Sequence, residues 1–142
     1  MATPQIVIDT NVLVAGLRSR GGSAFRLLSL VGMGQFDIHL SVPLVFEYEA
    51  VLLRELPHLQ VAKEAVEAII DFHCTVATSH PIFFLWRSFL RDPKDDMILE
   101  LAVKAGCEFI ITYNVRDFAG VEQFDIQVVE PGAFLQRIGA LP

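Results

Sequence analysis

The run Ile6-Val7-Ile8-Asp9-Thr10-Asn11 sets three consecutive β-branched apolar residues directly before an acid, a hydroxyl and an amide. Successive side chains of a strand point to opposite faces, so an unbroken apolar run predicts a strand buried on both. Such strands belong to parallel sheets covered by helices, and those sheets take their ligands off the carboxyl ends of the strands. Asp9 is expected at that end. Other carboxylates reaching the same edge would imply a metal site.

Working outward, residues 12–18 have helical spacing, Gly21-Gly22 interrupts it, and Ser23 is the natural N-cap of a second helix with Ala24, Leu27, Leu28 and Val31 on its apolar face. Residues 36–40 alternate as a short strand does, and Ser41 caps a helix over 43–56 with Pro43 in its first turn and Glu47 and Glu49 near its start. Residues 61–72 carry an apolar stripe at Val61, Ala65, Ala68, Ile69 and Phe72, and 74–77 read as a brief strand. The apolar run at 82–86 is core or subunit interface, and periodicity does not assign it. Asp92-Pro93-Lys94-Asp95-Asp96 opens a helix with a cap, an N1 proline and first-turn acids; Ile98, Leu101, Ala102 and Ala105 form its buried face, and Gly106 ends it. Phe109-Ile110-Ile111 then repeats the pattern of the first strand before a second polar cluster, and 127–129 and 131–138 read as a last strand and a closing helix.

With 142 residues, one compact core is expected. Hydrophobic residues make up 53% of the chain, yet no window approaches the roughly 18 uninterrupted apolar residues of a membrane span. Met1-Ala2-Thr3-Pro4 lacks the basic and apolar regions of a signal peptide, so the expected compartment is the cytoplasm. Cys74 and Cys107 have no paired spacing and are read as small core residues. A net charge of -6 argues against a broad basic nucleic-acid face, although acids gathered around a divalent cation would invert the sign that a phosphate meets.

In a parallel α/β unit the helix preceding a strand runs antiparallel to it and begins at the carboxyl edge. That places Asp95, Asp96 and Glu47 on the edge of Asp9, with Asn114 and Asp117 arriving from the end of a strand. Carboxylates so close together repel unless a cation sits among them. An all-oxygen set favours Mg²⁺ or Mn²⁺ over zinc, and the implied chemistry is hydrolysis at phosphorus with water as nucleophile.

Four runs carry a family likeness: residues 6–13, 44–52 (Leu-Val-Phe-Glu47-Tyr-Glu-Ala-Val-Leu), 92–102 and 110–118 (Ile-Ile-Thr112-Tyr-Asn114-Val-Arg-Asp117-Phe118). In this order and spacing they resemble a PIN domain, and with residues 129–135 they are similar to the VapC-like toxin components of bacterial toxin-antitoxin systems. The resemblance implies a three-layer α/β/α, Rossmann-like fold with a central parallel sheet of about four or five strands, formed as one domain over residues 1–142. It also implies an Mg²⁺- or Mn²⁺-dependent endoribonuclease, with one or two ions, acting on single-stranded RNA, often as a homodimer and often inhibited by a small antitoxin. Position by position, Asp9, Glu47 and Asp96 match the family's main acids and Asn11 the amide beside the first. The fourth acid falls where Asn114 or Asp117 stands, and only Asp117 is charged; it binds metal directly or through water while Asn114 orients it. Asp96 is preferred to Asp95, which lies three residues after the Asp92 cap.

Plainer readings compete. A lone strand-end acid satisfies local backbone, Glu47 and Glu49 alone would be solvated helix acids, and Thr10 either contacts a ligand carboxylate or bonds backbone. Arg18, Arg20, Arg87, Arg91 and Lys94 read as scattered surface charge, and only Arg116, beside Asp117, is kept as a substrate contact. No histidine is assigned to catalysis. A PIN-like scaffold without useful activity and a housekeeping RNA-processing nuclease are the alternatives. A phosphatase with an aspartyl nucleophile ranks low, because that chemistry wants a second acid where Asn11 stands.

Overall fold

The computed structural model describes residues 2–81 and 89–140; the apolar run at 82–86 and Arg87 lie outside them. β1 (Gln5–Ile8) is the middle strand of five, and its Ile6, Val7 and Ile8 are buried. β2 (Asp37–Ser41) and β4 (Phe109–Ile111) flank it, with β3 (Thr78–His80) and β5 (Gln127–Val129) at the edges. Every pairing is parallel, in the order β3-β2-β1-β4-β5. The chain steps outward from β1 to β2 and β3, then crosses back to β4 and β5. The topological switch point, where open parallel sheets bind ligands, therefore falls between β1 and β4.

Among the described residues six α-helices complete a three-layer α/β fold. α1 (Thr10–Arg18) and α2 (Ser23–Ser29) join β1 to β2, and α3 (Val42–Arg54) and α4 (Lys63–Val76) join β2 to β3. α5 (Pro93–Ala105) precedes β4 and packs on the central strands through buried Ile98, Leu99, Leu101 and Ala102. α6 (Pro131–Arg137) follows β5. Right-handed crossovers with this strand order carry α1 to α4 over one face and α5 over the other. Helix α1 approaches α2 at Gly16, where a Cβ would stand 2.5 Å from Leu28 Cδ1. Helix α5 ends at Gly106, whose φ of 67° is the left-handed conformation that a C-terminal glycine adopts without penalty.

The Asp92, Ser41 and Pro93 signals hold: Asp92 accepts from the Lys94 amide at 2.9 Å and Ser41 Oγ from the Leu44 amide at 3.3 Å. Elsewhere the structure differs from expectation. Gly22, not Ser23, caps α2. Helix α4 continues through residues 74–76, so the short strand lies at 78–80 instead. A brief apolar run after a helix cannot be told from the helix's own last turn by periodicity. The buried stripe of α4 is Val66, Ile70 and His73, one position round from the expected face, and Phe72 is exposed. Cys74, in that last turn, is exposed, whereas Cys107 is buried. His39 breaks the expected alternation of β2. It is buried there because its ring nitrogens meet His80 Nε2 at 2.8 Å and Gln5 Oε1 at 2.5 Å.

Candidate active site

Asp9 directly follows β1 and is the N-cap of α1, its Oδ1 accepting from the Thr10 amide at 2.8 Å. The other oxygen is held from across the switch point. Ile8 pairs with Ile111, so the next residues, Asp9 and Thr112, are lateral neighbours. Thr112 Oγ1 donates to Asp9 Oδ2 at 2.8 Å, and Asn11 Nδ2 donates to the same oxygen at 3.2 Å. Fully buried Thr112 also accepts from Asn11 Nδ2 and from the Asn114 amide, both at 3.0 Å, and the Tyr113 amide donates to Asn11 Oδ1 at 3.1 Å. The first turn of α1 and the loop after β4 thus form one polar network around one carboxylate.

Helix α3 adds the next acid. Its Tyr48 is buried and donates its hydroxyl to the Ile8 carbonyl, which fixes α3 against the end of β1. Burial pushes the Tyr48 phenol well above its ordinary value, so it remains a donor. Glu47, one residue earlier, accepts from Thr10 Oγ1 at 2.6 Å, and Lys94 Nζ lies 3.9 Å from its other oxygen.

The two acids in the first turn of α5 have different surroundings. Asp96 is buried and turned to its own chain: Oδ1 accepts from the Leu90 amide at 2.7 Å and the Phe89 amide at 3.1 Å. Asp95 instead lines a cleft of about 420 Å³ together with Asp9, Glu47, Asn114 and Asp117. Asp117 reaches it from the short 3₁₀ helix Val115–Phe118. Arg116 lies in an adjoining depression that Asp95 and Asp117 share.

Electrostatics mark this cleft. Burial holds Asp9 above the usual carboxylate range, Thr112 and the Thr10 amide offset part of that, and Glu47 and Asp117 add repulsion. Asp95 is pushed up to about 7, first by burial and then by Asp9, Asp92, Asp117 and Glu47. Buried and half-buried carboxylates with mutual repulsion added are what a divalent cation neutralises, and the all-oxygen donors suit Mg²⁺ or Mn²⁺. Among the described residues no three acid, His or Cys side chains converge closely enough to hold an ion as they stand.

Thr112 and Tyr48 are the residues that sequence reasoning missed. The signal for Thr112 was its place directly after the second buried strand, but only the pairing of β1 with β4 sets it beside Asp9. Thr112→Val keeps the shape and removes the hydroxyl. It is expected to cost about 1–2 kcal/mol of stability in a denaturant titration and to weaken divalent-ion affinity roughly tenfold to a hundredfold by calorimetry.

An all-parallel α/β sheet places the cleft lined by Asp9, Glu47, Asp95 and Asp117 at its switch point, the edge where open parallel sheets bind ligands. The chain belongs to the PIN domain family, whose profile matches residues 5–116. PIN domains are in general nucleases, hydrolases that typically use divalent metal ions. No curated protein matches the chain significantly. Among the described residues no helix is long and apolar enough to cross a membrane.

Proposed function

We propose that this protein is an Mg²⁺- or Mn²⁺-dependent endoribonuclease that hydrolyses phosphodiester bonds of single-stranded RNA. The observation that carries the reading is the sharing of one cleft by Asp9, Glu47, Asp95 and Asp117 at the switch point, with Asp9 locked by Thr112, Asn11 and the Thr10 amide. Those four carboxylates are the proposed metal ligands, Asp95 taking the place first given to Asp96. A divalent ion held there supplies Lewis acidity at phosphorus and an activated water. Thr10 orients Glu47 through its hydroxyl, Asn11 and Thr112 hold the Asp9 carboxylate in one rotamer, and Asn114 stands beside Asp117 on the wall that faces the substrate. Arg116, in the adjoining depression, offers a cation to an RNA phosphate.

Purified protein incubated with mixed RNAs and Mg²⁺ or Mn²⁺ is expected to cleave them, and chelator or Asp9→Ala to abolish the cleavage. Cleavage indifferent to both would sink the metal role. The finer reading, a cytoplasmic homodimeric toxin held by a small antitoxin, rests on the likeness of the ordered motifs to VapC-like proteins. Growth arrest on induction, relieved by co-expressing the product of an adjacent small gene, would support it; no effect on growth would favour a housekeeping nuclease. Among the described residues no three acids already converge on one point, which favours a second reading, a PIN-like scaffold without useful activity. Mn²⁺ titration that detects no binding would select it.

A further inference from the structure

We infer that Arg18 and Arg54 form a phosphate clamp for the RNA strand at the end of the cleft away from Asp9, Glu47 and Asp95, an inference that rests on the ribonuclease reading above. Helices α1 and α3 both start at the carboxyl edge of the sheet, α1 capped by Asp9 and α3 carrying Glu47 in its second turn, and they pack against each other. From Thr10 to Arg18, α1 runs about 12 Å along its axis, and from Glu47 to Arg54, α3 runs about 10 Å. Both arginines sit in the last turns of their helices, and both line the cavity that holds Asp9, Glu47 and Asp95. One groove thus carries its cluster of acids where a metal and the scissile phosphate would meet and, one helix-length further on, two arginines with a single acid, Glu55.

A cation at a helix C-terminus is favoured by the dipole in any case, and this accounts for the positions of both residues. It does not account for their opening onto a single cleft. Nor does it explain why, among the described residues, neither guanidinium has an ion-pair or hydrogen-bond partner, even though Glu55 lines the same end. Two unspent guanidinium forks, each matched to a phosphate's paired oxygens, suit the next phosphates of a strand whose scissile group lies at Asp9.

The test compares wild type with Arg18→Gln/Arg54→Gln on a fluorogenic single-stranded RNA and on a dinucleoside monophosphate, whose only phosphate is the scissile one. On the long substrate KM is expected to rise roughly tenfold, kcat to stay within about twofold, and the slope of log kcat/KM against log salt to become shallower by about 1.4, two contacts at about 0.7 each. The preference for the long substrate over the dinucleotide falls by the same roughly tenfold factor. Arg18→Lys/Arg54→Lys should restore much of the salt slope, which a packing role would not do. A wild type that cleaves while the double variant keeps its KM and salt slope overturns the clamp alone, and so does an equal loss on both substrates. A wild type that cleaves no RNA with either metal overturns the ribonuclease reading and the clamp with it.

Discussion

Asp95→Asn is expected to abolish most nuclease activity while making the metal-free protein more stable, a combination that no purely structural acid would produce. The amide keeps the volume and removes one charge from a group disfavoured first by burial and then by Asp9, Asp92, Asp117 and Glu47. Under the proposed function Asp95 is a metal ligand, and losing one costs the transition state several kcal/mol, so kcat/KM should fall about a hundredfold to a thousandfold. The stability change has the opposite sign. In the folded protein the carboxyl titrates near 7, above its ordinary 3.8, so it opposes folding increasingly as pH rises from about 4 to 7 and not at all below. Because the group is only partly buried, solvent screening reduces the gain at pH 8 to about 1 kcal/mol. A saturating divalent cation should erase that gain by stabilising wild type more than the variant.

Asp96→Ala should do the reverse. It leaves the Leu90 and Phe89 amides without their acceptor, at a cost of about 1.5–3 kcal/mol, and it removes no cleft-lining group. Thermal melts from pH 4 to 8 beside single-turnover assays separate the two. A large loss of activity with Asp96→Ala in a protein still folded, and none with Asp95→Asn, would restore Asp96 as the metal-facing acid.

Phe134→Ala is expected to cost about 3–5 kcal/mol, a large part of the roughly 5–15 kcal/mol that holds a domain together. The ring is fully buried in α6 and meets two others edge to face: Phe36 at 5.6 Å, just before β2, and Phe109 at 5.2 Å, in β4. These contacts join the closing helix to both halves of the sheet, although residues 117–142 follow the segment that matches the family. The single-domain reading over residues 1–142 requires one cooperative unfolding transition that shifts as a whole. The variant should lower Tm by on the order of 10 °C, and the folded fraction should keep its metal affinity, since Phe134 does not line the cleft. A loss under about 1 kcal/mol, or a separate early transition, would show the C-terminal segment to be an appendage.

Parts of the molecule differ in how far local sequence decides them. Helix ends announced by local chemistry were legible: Asp92 with Pro93, Ser41 with Pro43, and Gly106 each settle their own backbone within a few residues. The boundary between α4 and β3 was not, because residues 74–77 are compatible with a last helical turn or with a strand, and packing against neighbours decides between them. The buried face of α4 was misjudged for the same reason.

By itself the amino-acid order determined the parallel α/β class and the edge on which Asp9, Glu47, the α5 acids and Asp117 assemble. Those follow from strand burial, helix direction and chain connectivity, which depend on patterns within single segments. Only the tertiary structure decided which of two adjacent acids faces the cleft, that Thr112 grips Asp9, and that Arg18 and Arg54 open onto the same groove. Each of these depends on residues far apart in sequence meeting at distances of a few ångströms. A one-residue step along a helix turns a side chain by about 100°, and that is enough to move it from the solvent cleft to its own backbone.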